Sequence, residues 1–155
     1  MSIPLSEIVL KPIGFVRNGI TRRPVSFEWK NIISEIEFQP DLSEALDNLD
    51  EFSHIIVLFW APRDKHHKVS YKVHPKGSAH LPLVGLLATR SPHRPNPVAK
   101  TTVELLERRL NVLKVKGLDA FNGTLIIDIK PYLPGYDSVR KARTPGWAKE
   151  RRVRP

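Results

Sequence analysis

Apolar and polar residues alternate with a period of two along much of this chain, and a helical period is clear at one place. Ile13, Phe15 and Arg17 alternate with Gly14, Val16 and Asn18, an extended pattern, and Gly19 followed by Arg22, Arg23 and Pro24 reads as a turn or loop. Ser34, Ile36 and Phe38 alternate with Glu35 and Glu37, the period of a sheet with one wet face. Pro40 closes that strand. Leu42, Ala45, Leu46 and Leu49 then fall at helical spacing, and Asp41 with Glu44 makes a D-x-x-E start like a capping box, which predicts a helix. His54 to Trp60 reads HIIVLFW, a β-branched and aromatic run that predicts a strand buried on both faces.

Residues 61–83 carry Pro62, Pro75, Gly77 and Pro82 among Arg63, Lys65, His66, His67, Lys68, Lys72, His74, Lys76 and His80. This predicts a long basic loop with a short edge strand at Val69 to Val73; a loop of that length inside a compact domain usually binds something. Val84 to Thr89 is a further short apolar run. Prolines 92, 95 and 97 then exclude both helix and central strand. Val98 to Leu110, Val112 to Lys116 and Thr124 to Ile129 read as strands, with Asn122-Gly123 as a turn before the last. Six or seven strands against one helix point to a closed or nearly closed β structure, mainly β in class.

Composition narrows the chemistry. With 155 residues the chain is one domain's length, and 41% apolar with 26% charged residues is ordinary globular composition. Lys and Arg total 25 against 16 Asp and Glu, a formal charge of +9 that fits a polyanionic partner, RNA first and an acidic membrane surface second. From Arg140 onward, Lys141, Arg143, Lys149, Arg151, Arg152 and Arg154 face Glu150 alone, so 136–155 reads as a basic tail appended to a domain at 1–135. The absence of cysteine excludes disulfides, iron–sulfur clusters, Cys-ligated zinc and thiol nucleophiles. No signal peptide or membrane-length apolar run is visible, so the expected address is the cytoplasm.

The eight glycines form neither G-x-G-x-x-G nor a P-loop, and the histidines lack metal-ligand spacing, so no metal is expected. The segment Ala88-Thr89-Arg90-Ser91-Pro92-His93-Arg94-Pro95-Asn96-Pro97 is stiffened by its prolines, which lowers the entropic cost of holding two guanidiniums and an amide in place. It reads equally as an anion site or as a rigid connector. Asp119 and Asn122 sit at a turn, where they can serve a ligand's ribose or amine or bond their own backbone as an Asx-turn. Asp128 lies in an apolar run where an unpaired carboxylate is costly, so a partner is expected among Lys130, Arg90 and Arg94. Trp29, Phe27 and Ile32 are candidates for core or for a subunit contact.

Gly85 to Pro97, with Phe52-Ser53-His54 upstream and Asp119 to Tyr132 downstream, resembles the TsaA/TrmO family of S-adenosylmethionine-dependent tRNA methyltransferases over about Ile13 to Pro134. The resemblance implies a single-sheeted β-barrel-like domain with one or two short helices, usually a homodimer. It also implies methyl transfer to N6 of threonylcarbamoyladenosine at position 37 of tRNA. By motif correspondence the S-adenosylmethionine lies against Arg90, the region of Lys100, and the turn Asp119, Ala120, Phe121 and Asn122, with Arg63 and the loop at Arg22 and Arg23 as further contacts. Candidates to accept the proton of the methylated nitrogen are Asn96, aimed by its prolines, and Asp128 with Tyr132. Phosphates of the tRNA would meet Lys65, Lys68, Lys72, Arg94, Arg140, Lys141 and Arg143. A noncatalytic basic RNA-binding module is the alternative from another class. The chain departs from the family pattern at Ala99, at Lys100 and at Asn122, where the family turn reads Asp-Gly-Thr.

Overall fold

The computed structural model describes residues 6–22, 29–62 and 68–149; Arg23, Phe27, Arg63, Lys65 and the residues after Lys149 lie outside them. Eight strands occur among the described residues: β1 (Gly14–Arg17), β2 (Ile33–Phe38), β3 (His54–Trp60), β4 (Lys72–Val73), β5 (Val84–Gly85), β6 (Val98–Arg109), β7 (Val112–Lys116) and β8 (Leu125–Pro131). Six close into a barrel in the order β1-β2-β7-β6-β3-β8, and β4 with β5 forms a separate two-stranded sheet. Short helices α1 (Pro134–Asp137) and α2 (Gly146–Lys149) follow.

Every neighbouring pair in the barrel is antiparallel. The strands β1, β3 and β7 therefore run one way and β2, β6 and β8 the other. One rim, called upper here, receives the connections 18–32, 61–97 and 117–124; the lower rim receives 39–53, 110–111 and the exit after Pro131. Three segments distant in sequence are brought to one end of the molecule by topology alone.

The alternation sets the core. Val16, Ile36, Ile55, Val57, Val103, Leu113, Val115 and Ile126 point inward and are fully buried, each worth roughly 1.5–3 kcal/mol of transfer free energy. Gly14 opens β1 where a Cβ would stand 2.5 Å from the Glu37 carbonyl oxygen, so β1 and β2 approach only because no side chain intervenes. The strand β8 carries a bulge: Leu58 faces Asp128 and Phe59 faces Ile126, leaving Ile127 extra. That added residue lets Ile126 and Ile129 both serve the core while Asp128 turns to the outer face.

Three expectations are corrected. The segment expected as a helix from Asp41 forms 3₁₀ turns over Pro40–Leu46 and Leu49–Glu51, with Asn48 between them in the left-handed region at φ 62°. Only Leu46 becomes fully buried there, too little apolar contact to hold three helical turns against the rim, and no side-chain cap bond forms at its start. The β3 strand is not buried on both faces throughout: Ile55, Val57 and Phe59 line the core, but on the other face Leu58 is half-buried and Trp60 exposed. The carboxylate of Asp128 is not deep in the apolar run; it is half-buried on the outer wall and pairs with Lys130 at 2.7 Å, one of its three expected partners.

Candidate functional site

At the upper rim, on the outer side of β3 and β8, a cleft of about 350 Å³ is lined by Thr21, Trp60, Pro62, Phe121, Asn122, Gly123, Thr124 and Leu125. Small-molecule sites commonly measure about 300–1,000 Å³ and combine apolar walls with a few placed polar groups. The walls here are Trp60, Phe121 and Leu125, and Phe121 is held edge-on by Trp29 with ring centroids 5.5 Å apart.

The polar floor is built by lacing two loops. The side-chain oxygen of Asn122 accepts the backbone N–H of Asn18 at 3.0 Å and of Gly19 at 3.2 Å. The Asn18 amide donates to the Ala120 carbonyl at 2.9 Å and to the Ser34 hydroxyl oxygen at 3.0 Å. Backbone bonds from Asn122 to Ile20 at 2.8 Å and from Gly123 to Val16 at 2.7 Å complete the seam. Gly123 sits at φ +79°, a conformation that costs other L residues strain. The oxygen expected to serve either a ligand or an Asx-turn thus serves a neighbouring loop, and the Asn122 amide nitrogen is what its side chain can offer a ligand. Ala120 is core, contributing its carbonyl. The exposed Asp119 accepts a hydrogen bond from the Thr101 hydroxyl.

That last contact separates Thr101 from Lys100. On β6 the inward row is Ala99, Thr101, Val103 and Leu105, so Lys100 points outward, opposite Leu58, with its Nζ 3.2 Å from the Thr102 hydroxyl oxygen. The barrel's period of two gives Thr101, and not Lys100, to the 117–124 turn.

The proline-stiffened loop ends beside the cleft. The Ala61 N–H donates to the Pro97 carbonyl at 2.8 Å, and Ala61 lies between the lining residues Trp60 and Pro62. Within the loop the Arg94 guanidinium donates to the Thr89 carbonyl at 2.7 Å and the Thr89 hydroxyl to the Leu86 carbonyl at 2.7 Å. Arg94 is therefore an internal brace. Arg90 and Asn96 are exposed on the same loop, outside the lining of this cleft.

Of the described catalytic and cofactor candidates, Phe121 and Asn122 line the cleft, and Arg90, Asn96, Lys100, Asp119, Ala120, Asp128 and Tyr132 do not. Asp128 faces outward midway along β8, and Tyr132 stands at the lower rim, its N–H on the His54 carbonyl at 3.1 Å and its ring 6.5 Å from the His54 ring. The Asp128 carboxylate holds the Lys130 ammonium above the ordinary lysine range, by hydrogen bond first and charge second. The chain leaves β8 at the lower rim, and the tail with Arg140, Lys141 and Arg143 follows α1.

Sequence reasoning missed Trp60, Thr21, Pro62 and Leu125. A signal existed for Trp60: with Ile55, Val57 and Phe59 inward, parity alone sends it out. Trp60 pairs with Val98 and Leu125 with Phe15, and all four are 37–45% exposed, an apolar row crossing four strands beside the cleft. No helix among the described residues is long and apolar enough to cross a membrane, and no group of three or more candidate metal ligands occurs among them.

Comparison with known proteins places this geometry. The tRNA-methyltransferase O N-terminal domain family matches residues 17–138. A probable S-adenosyl-L-methionine-binding protein of Archaeoglobus fulgidus is 40% identical over 146 residues, covering 92% of this chain and 38% of that protein. The human tRNA (adenine(37)-N6)-methyltransferase is 28% identical over 152 residues, covering 93% of this chain and 34% of the human one. A crystal structure of TrmO from Pseudomonas aeruginosa superposes with TM-score 0.71 at 28% identity, covering 93% of this chain and 63% of that one. The chain thus spans less than two thirds of each of these three proteins. On the family match and the shared closed antiparallel barrel, this chain belongs to the tRNA-methyltransferase O N-terminal domain family.

Proposed function

We propose that the chain binds S-adenosylmethionine in the upper-rim cleft and transfers its methyl group to N6 of threonylcarbamoyladenosine at position 37 of tRNA. The observation that carries this reading is the convergence, on one cleft or its border, of the 18–32, 61–97 and 117–124 loops. The residues present fit such a molecule. Trp60 and Phe121 give aromatic faces for an adenine ring and for a sulfonium, which is attracted to a ring quadrupole. The Asn122 amide supplies a donor, and outside the lining Asp119 would supply a carboxylate for ribose hydroxyls or an ammonium and Arg90, on the adjoining loop, a guanidinium for a carboxylate.

When bound, S-adenosylmethionine supplies an electrophilic methyl carbon on a positively charged sulfur. The work left to the protein is positioning, exclusion of water and disposal of the proton that the methylated nitrogen loses. Asn96 is the hydrogen-bond acceptor we assign for that N–H, with the proton itself released to water after transfer, since Pro95 and Pro97 limit its backbone and the Val98 N–H, donating to its carbonyl at 2.8 Å, closes the turn. Asp128 and Tyr132 stand away from this cleft within one protomer.

The family's usual homodimer is retained in this reading. Phe15, Leu125, Trp60 and Val98 form a surface that a second copy would cover, closing the open side of the cleft against water. Tests of the reaction use methyl-labelled S-adenosylmethionine, the full chain, and tRNA from cells lacking the activity, followed by nucleoside analysis. Label in N6-methyl-threonylcarbamoyladenosine supports the reading. Tight tRNA binding with no label in any nucleoside supports the noncatalytic RNA-binding module instead.

A further inference from the structure

Between Lys65 and Val103 the sequence contains no Asp or Glu, while Lys68, Lys72, Lys76, Arg90, Arg94 and five of the six histidines fall there. The structure makes part of this stretch an ordered arm at the upper rim. Its strands β4 and β5 pair Lys72 with Gly85 and Val73 with Val84. Pro75, Leu81 and Leu86 are buried, and the His74 imidazole Nδ1 donates to the Leu81 carbonyl at 2.8 Å. The arm belongs to the 61–97 connection, whose two ends meet at the cross-strand pair Trp60–Val98, and Trp60 lines the cleft.

On this arm Tyr71 is 75% exposed. Its backbone is held in place: the Leu86 N–H donates to the Tyr71 carbonyl at 2.9 Å, and the Ser70 hydroxyl donates to the Lys72 carbonyl at 2.6 Å. The ring is thus presented on a fixed support between exposed Lys68 and Lys72. Cations that track a phosphate backbone, interleaved with an aromatic face on which a base can stack, are the two elements of single-stranded nucleic acid recognition.

We propose that Tyr71 is a base-stacking platform for an unpaired nucleotide flanking the target adenosine, with Lys68 and Lys72 on the adjacent phosphates. This rests on the tRNA reading above. The occupant is looped RNA and not a membrane, because the two ends of the connection that carries the arm meet at Trp60 in the cleft lining: a base drawn into that cleft leaves its neighbours in the strand at the arm, whereas a lipid surface has no partner group there. Splaying a base out of an anticodon loop forfeits stacking, and Tyr71 returns part of it.

The test measures binding of fluorescently labelled unfractionated tRNA by anisotropy over a range of KCl concentrations, with S-adenosylhomocysteine affinity by calorimetry as the check on the fold. Tyr71→Ala is expected to weaken tRNA binding by roughly 5- to 150-fold with an unchanged salt slope, the range for loss of one stacked base. Tyr71→Phe is expected to bind as the parent does. The double variant Lys68→Ala/Lys72→Ala should lower the log–log salt slope by about 1.4–1.8, two phosphate contacts at about 0.7–0.9 each. Should Tyr71→Ala fail the calorimetric check, Tyr71→Leu, which keeps the apolar bulk, takes its place with the same expected loss.

Parental tRNA affinity in Tyr71→Ala or Tyr71→Leu overturns the platform while leaving the methyltransferase reading intact, as does an equal loss in Tyr71→Phe. Loss of binding to phosphatidylserine vesicles, with tRNA binding kept, overturns it in favour of a membrane contact. A parent protein that binds S-adenosylhomocysteine but no tRNA overturns both readings together.

Discussion

Asn18 donates its backbone N–H to the side-chain oxygen of Asn122 at 3.0 Å, and the two residues belong to loops that follow different strands, β1 and β7. Their contact makes the cleft floor a single unit. Asn122→Ala removes the acceptor for two backbone N–H groups, a cost of about 1–2 kcal/mol at roughly 1 kcal/mol per bond. The expected result is a lower denaturation midpoint and weaker S-adenosylmethionine binding by calorimetry. Asn122→Asp keeps an acceptor at the same place and should retain the denaturation midpoint, while the loss of the amide donor should still weaken S-adenosylmethionine binding.

Arg90→Ala should abolish S-adenosylmethionine binding by calorimetry while the circular dichroism spectrum stays unchanged. The Arg90 side chain is exposed, so nothing in the barrel depends on it. Arg94→Ala differs: it removes the 2.7 Å bond to the Thr89 carbonyl and should loosen the whole loop, read as faster amide exchange over 89–97.

Arg108 supplies the opposite control. At the lower rim its guanidinium, 18% exposed, reaches Asp47 at 2.7 Å and the Ser43 carbonyl at 2.9 Å. Arg108→Ala leaves a part-buried carbonyl without its charged donor and should cost roughly 1–3 kcal/mol in denaturant unfolding. Ligand affinity should not change, because the cleft lies at the other rim.

Gly14→Ala would put a Cβ 2.5 Å from the Glu37 carbonyl oxygen and 3.1 Å from the Phe38 Cα. Backbone on both sides must move, an overpacking cost of about 1–3 kcal/mol. We expect a clear fall in melting temperature.

Most strands were legible because a barrel wall writes its period into the sequence. Glu35 and Glu37 against Ser34, Ile36 and Phe38 mark β2, and the β7 bounds Val112 to Lys116 match expectation. The helix at Asp41 was misread because its apolar spacing is helical while the rim buries little beyond Leu46. The site was half legible. Motif spacing located the 117–124 turn and the proline loop, but closure of the barrel decides which loops share a rim, and a long-range property of that kind leaves no local pattern. Lys100 shows the same limit at one residue: a motif gives the position, and only the strand's parity shows that its neighbour Thr101 is the one turned toward Asp119.

The most direct measurement of the central claim is a crystal structure of the full chain with S-adenosylhomocysteine. The account predicts its nucleoside between Trp60 and Phe121 at the upper rim, with Asn122 within hydrogen-bond distance. A ligand bound instead at the lower rim, around His54 and Tyr132, would contradict it.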